Sequence, residues 1–235
     1  MLACLLPGVH AEAAETVRSV VWNQVGADLE GEAEADRSGA SIAISEDGNR
    51  IVLGAPTNDA GGNAAGHARV YEWDSALLTW NQLGADIDGV AAGDESGASV
   101  AISDNGNRVA IGSPYNDGPA NGTGQVRVFE FDGDIWNQVG ENIQGNVLAD
   151  WLGRSVAMSA DGNRIVVGAP QTYGGGTKYG FARILDWNAV TSNWIQVGSY
   201  IIGEAEDDRA GFATAISADG TRVAIGAPAN DGAAG

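Results

Sequence analysis

The chain has 235 residues, of which 44% are hydrophobic and 35 are glycine, and its formal net charge is −19 at pH 7. This charge opposes binding to nucleic acid and to anionic lipid surfaces, because like charges repel at long range. The single cysteine, Cys4, excludes an intramolecular disulfide, so stability has to come from the burial of apolar groups.

The first fifteen residues differ in character from the rest of the chain. Their apolar segment is followed by His-Ala-Glu-Ala, which is similar to a signal-peptidase site, although the basic residues that usually begin a secretory signal are missing. We predict that residues 1–15 are a leader or a disordered tail and that residues 16–235 form a single domain. No apolar run is long enough to span a bilayer, so membrane insertion is not expected.

One stretch recurs along the chain. Residues 45–56 read Ser-Glu-Asp-Gly-Asn-Arg-Ile-Val-Leu-Gly-Ala-Pro, and close copies occupy residues 103–114, 159–170 and 217–228. The copies are 56 to 58 residues apart, and four tryptophans repeat with the same spacing, namely Trp22, Trp80, Trp136 and Trp194. This period predicts an array of equal units that bury their faces against one another.

Each unit is predicted to contain four short antiparallel strands. In the unit from Trp22 to Trp73 the predicted strands are Trp22–Val25, Gly39–Ser45, Arg50–Ala55 and Ala68–Trp73. The second alternates apolar and small residues, and the third is nearly continuous in apolar residues, as expected of a strand covered on both faces. Between them, Asp47-Gly48 predicts a tight hairpin turn.

About four such units predict an all-β fold, a β-propeller with one blade per repeat. A β-sandwich would not show the period. The last residues of the chain and Thr16–Trp22 together resemble one split unit, which favours closure into a four-bladed ring. The alternative is that the chain is a fragment of a larger propeller. The repeated glycines of Gly-Ala/Ser-Pro are predicted to lie where backbones approach closely: Gly54, Gly112, Gly168 and Gly226.

The order of motifs within a unit resembles a known repeat. Asp36-x-x-Gly39-x-Ser41-Ile-Ala-Ile is followed by Val52-Leu-Gly-Ala-Pro56 and by Gly66-x-Ala-Arg-Val-Tyr71. This order is similar to the FG-GAP repeat of integrin α-chain propellers, in the variant without the DxDxDG calcium loop. The resemblance covers the chain after about Val17, and it implies a propeller that serves in adhesion at the cell surface or outside the cell.

The loops at one end of each unit are rich in acidic residues, which suggests two hypotheses. The repeated aspartates that could provide oxygen ligands for calcium are Asp36, Asp59, Asp94, Asp117, Asp208 and Asp231. The alternative is that these side chains accept hydrogen bonds from loop amides, as aspartates in turns commonly do.

The third repeat departs from the pattern and provides the candidate partner-binding residues. Trp151 replaces a polar residue there, and the segment from Gln171 to Tyr179 introduces two tyrosines and the only lysine. We predict a patch of Trp151, Tyr173, Lys178 and Tyr179, because exposed aromatic residues contribute strongly to binding and stack on sugar rings. The alternative is that Trp151 packs between blades.

Catalytic signatures are scarce in the sequence. His10 and His67 are the only histidines, and no nucleophile motif is present. We therefore predict that the protein is not an enzyme but a secreted or cell-surface interaction or adhesion module, which binds an extracellular protein or glycan and no nucleic acid. The alternative is a cation-dependent carbohydrate-active enzyme on a propeller.

Overall fold

The computed structural model describes residues 22–171 and 179–231, and all regular structure in these ranges is β-strand. The strands are β1 Ser41–Ile44, β2 Arg50–Ala55, β3 His67–Asp74, β4 Thr79–Gln82, β5 Ile87–Asp88, β6 Ser99–Ile102, β7 Arg108–Ser113 and β8 Gln125–Phe131. They continue as β9 Trp136–Gln138, β10 Ile143–Gln144, β11 Ser155–Met158, β12 Arg164–Ala169, β13 Phe181–Asn188, β14 Asn193–Ile202, β15 Ala213–Ile216 and β16 Val223–Gly226.

The strands form four antiparallel sheets, one per repeat. The first three sheets follow the order β1-β2-β3-β4, β6-β7-β8-β9 and β11-β12-β13-β14, and the described part of the last contains β15 and β16. In the first two sheets the fourth strand is interrupted, so that β5 and β10 pair with the same neighbour as β4 and β9. In the third sheet it is one long strand with a register shift opposite Ala182 and Ile184. The predicted all-β propeller is confirmed.

The predicted blade begins and ends at the wrong strand of the repeat. Trp80 pairs with Trp73 in the same sheet as β1 and β2, whereas the sequence analysis placed the equivalent Trp22 strand at the start of the blade from Trp22 to Trp73. The short turn after Asp74 joins β3 and β4 into a hairpin, and the long acidic loops connect one sheet with the next. A repeat period fixes the length of a unit but not the residue at which it begins.

Consecutive sheets share two apolar clusters. Val52 and Val70 of the first sheet pack with Val100 and Ile102 of the second. A second cluster joins the second and third sheets and includes Val128, Leu152, Ile165 and Trp194. At the start of the array Ile42 and Ile44 remain 69% and 61% exposed, so no described residue covers the outer face of β1. The predicted ring seam involves residues 16–21 and 232–235, which lie outside the described ranges.

Glycines permit the closest approach between sheets. A Cβ atom on Gly54 would lie 2.0 Å from the carbonyl oxygen of Gly97, and Gly112 and Gly168 face Gly153 and Gly211 in the same way at 2.1 and 2.0 Å. The prediction for these three glycines is confirmed. Gly226 differs, since its nearest neighbour would be Ala213 Cβ of its own hairpin at 3.3 Å.

The repeated tryptophans connect each sheet to the preceding loop. The indole Nε1 of Trp80 donates to the carbonyl oxygen of Val25 at 3.0 Å, and Trp136 and Trp194 donate to Leu83 and Val139 at 2.7 and 2.9 Å. Each indole therefore satisfies its only donor while its ring covers the sheet edge. This contact explains why tryptophan recurs with the period of the repeat.

The described residues contain no helix long and apolar enough to cross a membrane. The assignment of residues 16–235 to one domain stays a prediction.

Candidate functional site

Three of the predicted metal ligands are buried and organise loops. The Oδ2 atoms of Asp36, Asp94 and Asp208 each accept a backbone N–H three residues upstream, at 3.0, 3.0 and 2.7 Å. Each also accepts the side-chain amide of an asparagine 22 residues later, at 2.9 to 3.0 Å. These bonds tie two loops of one unit together, the turn-forming role that the sequence analysis gave as the alternative.

The other three predicted ligands lie at the surface. Asp59 and Asp117 are exposed, and their Oδ1 atoms accept the amides of Ala64 and Gly122 at 2.7 and 2.9 Å. Asp231 is exposed at the end of the described range. Among the described residues, these aspartates do not belong to a group of three or more potential metal ligands. Calcium binding by these loops stays a prediction.

Two of the four predicted partner-binding residues lie within the described ranges. Trp151 is partly buried and adopts a positive φ of 57°, and its ring meets that of Tyr115 edge-on at 5.2 Å. Tyr179 is partly buried and lines a different cavity, together with Phe181 and Tyr200. Tyr173 and Lys178 lie outside the described residues. The four-residue patch therefore stays a prediction.

A different group of side chains forms the one cluster of potential metal ligands among the described residues. Ligand atoms of Glu32, His67 and Asp86 all lie within 4.8 Å of one another. His67 is 1% exposed, and its Nδ1 lies 3.8 Å from Glu32 Oε2 and 3.7 Å from Asp86 Oδ2. These distances are too long for hydrogen bonds, and Nδ1 has no hydrogen-bond partner.

The fold brings the three residues together from distant parts of the sequence. His67 is the first residue of β3 and pairs with Asp88, so that Asp86, two residues before Asp88, lies on the same face. Glu32 comes from the acidic loop that precedes β1. The contacts among these three residues are not local in sequence, because the residues are spread over more than fifty positions of the chain.

Neighbouring amides hold both carboxylates of the cluster. Asn58 Nδ2 donates to Glu32 Oε2 at 3.1 Å, and Gln82 Nε2 donates to Asp86 Oδ1 at 2.6 Å. The guanidinium of Arg69 lies 3.9 Å from Glu32 Oε1 and donates to the carbonyl oxygen of Glu30 at 2.9 Å. Such second contacts orient metal ligands in known sites and restrict their rotation.

The donor set suits a divalent transition metal. An ion at the centre of a triangle with edges of 3.7 to 4.8 Å lies roughly 2.1–2.8 Å from each corner, a range that includes metal–ligand bond lengths but does not distinguish one divalent ion from another. One imidazole and two carboxylates are ligands that Zn²⁺ and Mn²⁺ accept, whereas calcium prefers oxygen ligands alone. The donor set of the cluster therefore fits a transition metal better than calcium.

A cavity adjoins this cluster on the loop-rich side. It has a volume of about 700 Å³ and includes Glu32, Asp36, Arg37, Asn58 and Asn63 among its lining residues. This volume lies in the range of roughly 300–1,000 Å³ that is typical of small-molecule sites. Of the three residues of the cluster, Glu32 lines this cavity.

This cluster was not predicted from the sequence. The predicted metal ligands are aspartates that recur from unit to unit, whereas the position of His67 is a histidine in the first unit alone. The sequence does contain a signal for the site, namely positions at which the repeats differ. His67 aligns with Gln125 and Phe181, and Asp86 aligns with Asn142 and Tyr200. Positions that differ between otherwise equal repeats would have indicated the site.

Comparisons with known proteins identify the fold. No family model matches the sequence, and no curated protein matches it, so the FG-GAP resemblance stays a prediction. A Bacteroides uniformis structure assigned as a 6-phosphogluconolactonase is similar, with a TM-score of 0.53 and 16% identity over 79% of this chain and 46% of that one. The periplasmic gluconolactonase of Pseudomonas aeruginosa has a TM-score of 0.54 and 15% identity over 80% of this chain and 50% of that one.

These similarities correct one prediction and support another. Both structures are described as lactonases, which are hydrolytic enzymes, and this contradicts the predicted non-catalytic adhesion module. The chain spans about half the length of each of these two structures. At such low identity the likeness concerns the fold alone, and it agrees with the sheets described above: the chain has a β-propeller fold.

Proposed function

We propose that this chain is a metal-dependent β-propeller hydrolase that acts on an ester or lactone of a sugar acid. The observation that carries the proposal is the buried Nδ1 atom of His67, which faces two carboxylates without a hydrogen-bond partner. A buried polar atom without a partner is costly, and a bound cation would remove that cost. The lactonase descriptions of two structural neighbours support the reaction class.

The bound ion would supply Lewis acidity to the substrate carbonyl or an acidified water molecule. In the hydrolysis, the oxygen of water forms a bond with the carbonyl carbon, the ester C–O bond breaks, and the released oxygen takes a proton. His67, Glu32 and Asp86 are the ligands, and Asn58 and Gln82 hold the two carboxylates in position. Arg69, 3.9 Å from Glu32 Oε1, offsets part of the negative charge of that carboxylate.

The other features of the sequence agree with a sugar-derived substrate encountered outside the cytoplasm. A signal-like leader, the P. aeruginosa neighbour described as periplasmic, and the strongly acidic surface support this location. Nucleic acid is an unsuitable partner for a chain of charge −19. A glycan or a fragment of one remains the partner that we propose.

The test is a metal titration of the chain after treatment with EDTA. We expect Zn²⁺ or Mn²⁺ to bind with one-to-one stoichiometry by calorimetry and to raise the melting temperature, since a ligand of the folded state stabilises it. His67→Gln should weaken binding at least about tenfold. This variant is expected to fold, because glutamine occupies the same position at Gln125 with the same strand pairing.

Asp117→Asn is the matched control, as it removes an exposed acidic group outside the cluster. Hydrolysis of glucono-1,5-lactone, followed by proton release, should require the ion and should be lost in His67→Gln. Equal metal affinity of the wild type and His67→Gln would overturn the proposed site. Metal binding without any lactone or ester hydrolysis would overturn the proposed activity.

A further inference from the structure

The positions of the metal cluster have equivalents in the next two sheets, and each set carries different chemistry. The residue that begins the third strand of a sheet is His67, Gln125 or Phe181. Two residues before its cross-strand partner, and therefore on the same face, lies Asp86, Asn142 or Tyr200. In the second sheet Asn142 Nδ2 donates to Gln125 Oε1 at 3.0 Å. In the third sheet the rings of Phe181 and Tyr200 stack, with centroids 5.0 Å apart.

The third set forms the wall of a cavity of about 240 Å³. Among the described residues its lining consists of Asn146, Val147, Asp150, Tyr179, Phe181, Tyr200 and Ile202. The volume is below the roughly 300–1,000 Å³ of sites for drug-sized ligands, so it suits a single ring. The wall is aromatic and aliphatic on one side and carries a carboxyl and a carboxamide on the other.

Asp150 gives the cavity an unsatisfied acceptor. The side chain is 1% exposed, and its Oδ2 accepts the backbone amides of Asn146 and Val147, each at 3.0 Å. Its Oδ1 is buried and has no hydrogen-bond partner in the described part of the chain.

The environment of Asp150 is consistent with a ligand contact. Burial raises the pKa of its carboxyl, and the amides of Val147 and Asn146 oppose this shift. Asn146 Nδ2 donates to the hydroxyl of Tyr200 at 2.6 Å, which fixes the orientation of that ring. The cavity thus combines a rigid aromatic wall with one buried oxygen that lacks a donor.

We propose that this cavity is a binding site for a single neutral sugar ring, a ligand class that rests on the proposed function. A sugar ring presents apolar C–H groups on its faces and hydroxyl groups at its rim. The C–H groups would lie against Phe181, Tyr200 and Tyr179, and one hydroxyl would donate to Asp150 Oδ1. The aromatic wall would then be in contact with apolar groups, and the carboxyl oxygen would have a hydrogen-bond donor. A purely apolar ligand would leave the buried carboxyl oxygen without a partner.

The test is an NMR titration with methyl β-D-glucopyranoside in the presence of EDTA, with toluene as an apolar single-ring ligand that has no hydrogen-bond donor. We expect saturable binding of the glucoside, with ring protons contacting the aromatic residues, and weaker binding of toluene. Asp150→Asn retains the shape and the two backbone contacts but replaces the free acceptor by a donor. It should lower glucoside affinity about tenfold or more.

Asp94→Asn is the matched control, because Asp94 holds the same position in the second repeat away from this cavity, and it should leave the affinity unchanged. Should Asp150→Asn fail to fold, Tyr200→Leu tests the aromatic wall and should also weaken binding. Unchanged affinity in either folded variant, or binding of toluene in preference to the glucoside, would overturn the proposal. Since EDTA removes metal ions, this result is distinguishable from a failure of the His67 site.

Discussion

At the scale of single residues, neighbouring sheets approach so closely at paired glycines that no side-chain atom fits between them. Ser41 Oγ donates to the carbonyl oxygen of Gly97 at 2.7 Å, and this oxygen faces the space where Gly54 lacks a side chain. Ser99 and Ser155 make the same bond to Gly153 and Gly211, at 2.8 and 2.9 Å. A main-chain oxygen cannot rotate away as a side chain can, so the tolerance for added atoms at these glycines is small.

Gly112→Ala should therefore destabilise the protein by about 1–3 kcal/mol, because the new methyl group would overlap the carbonyl of Gly153. Gly226→Ala is the matched control, since its nearest contact would be a Cβ atom at 3.3 Å. Urea unfolding at neutral pH measures both changes. Equal loss of stability in the two variants would contradict this account of the interface between sheets.

The hairpin turns give the protein part of its dependence on pH. Hydrogen bonds from Ser45 Oγ, from the Asn49 amide and from the Asn49 side chain lower the pKa of Asp47 from its ordinary value to about 2. A lowered pKa in the folded state means that the carboxylate contributes stability above about pH 4 and loses it as the pH falls towards 2. The second repeat has Asn105 in this position.

Asp47→Asn should consequently reduce the loss of stability between pH 4 and pH 2.5. Glu46→Gln, which removes the same charge from the neighbouring exposed residue, serves as the control. The free energy of unfolding measured at several pH values would show a shallower acid limb for Asp47→Asn alone. Parallel curves for the wild type and Asp47→Asn would refute the role of this turn.

At the scale of strands, the sequence predicts what is local and misses what depends on the pairing of distant segments. The hairpin of β1 and β2 was predicted because its turn and its apolar pattern lie within fifteen residues. The point at which one blade ends and the next begins was not predicted. The strand that contains Trp80 could have paired with the strand before it or with the strand after it. Likewise, Glu32 and Asp86 approach His67 only after β5 has paired with β3.

The hydrogen bond of each repeated tryptophan should have a measurable effect on stability. Trp136→Phe removes the bond to Leu83, and we expect a loss of about 0.5–1.5 kcal/mol together with some loss of packing. Trp22→Phe is a control, because Trp22 is 91% exposed and should tolerate the change. Thermal unfolding followed by circular dichroism distinguishes the two, and a larger effect for Trp22→Phe would be inconsistent with the structure.

At the scale of the whole molecule, stability depends on the faces between sheets and not on the sheets individually. Ile44 and Ile102 hold the same position in β1 and β6, yet the first is 61% exposed and the second is 9% exposed. Only Ile102 has a sheet packed on its side, which places it in the cluster with Val52 and Val70. The same residue type in the same local structure therefore contributes differently to the free energy of unfolding at the two positions.

Ile102→Ala should cost about 2–5 kcal/mol, whereas Ile44→Ala should lie within about 0.5 kcal/mol of the wild type. Chemical unfolding of both variants in this chain is a direct comparison of two equivalent sites. A comparable loss for Ile44→Ala would show that the outer face of β1 is covered, and the described packing would then be incomplete.

The positions that begin the third strands have a consequence for how such a protein evolves. The main-chain pairing at this position is the same in three sheets, where His67, Gln125 and Phe181 pair with Asp88, Gln144 and Ile202. The backbone therefore accommodates three different side chains at this position. After duplication of an ancestral unit, each copy was free to acquire its own chemistry there without endangering the inherited scaffold. One gene could in this way accumulate an imidazole with two carboxylates, a pair of amides and a pair of stacked rings, and selection could act on each of them separately.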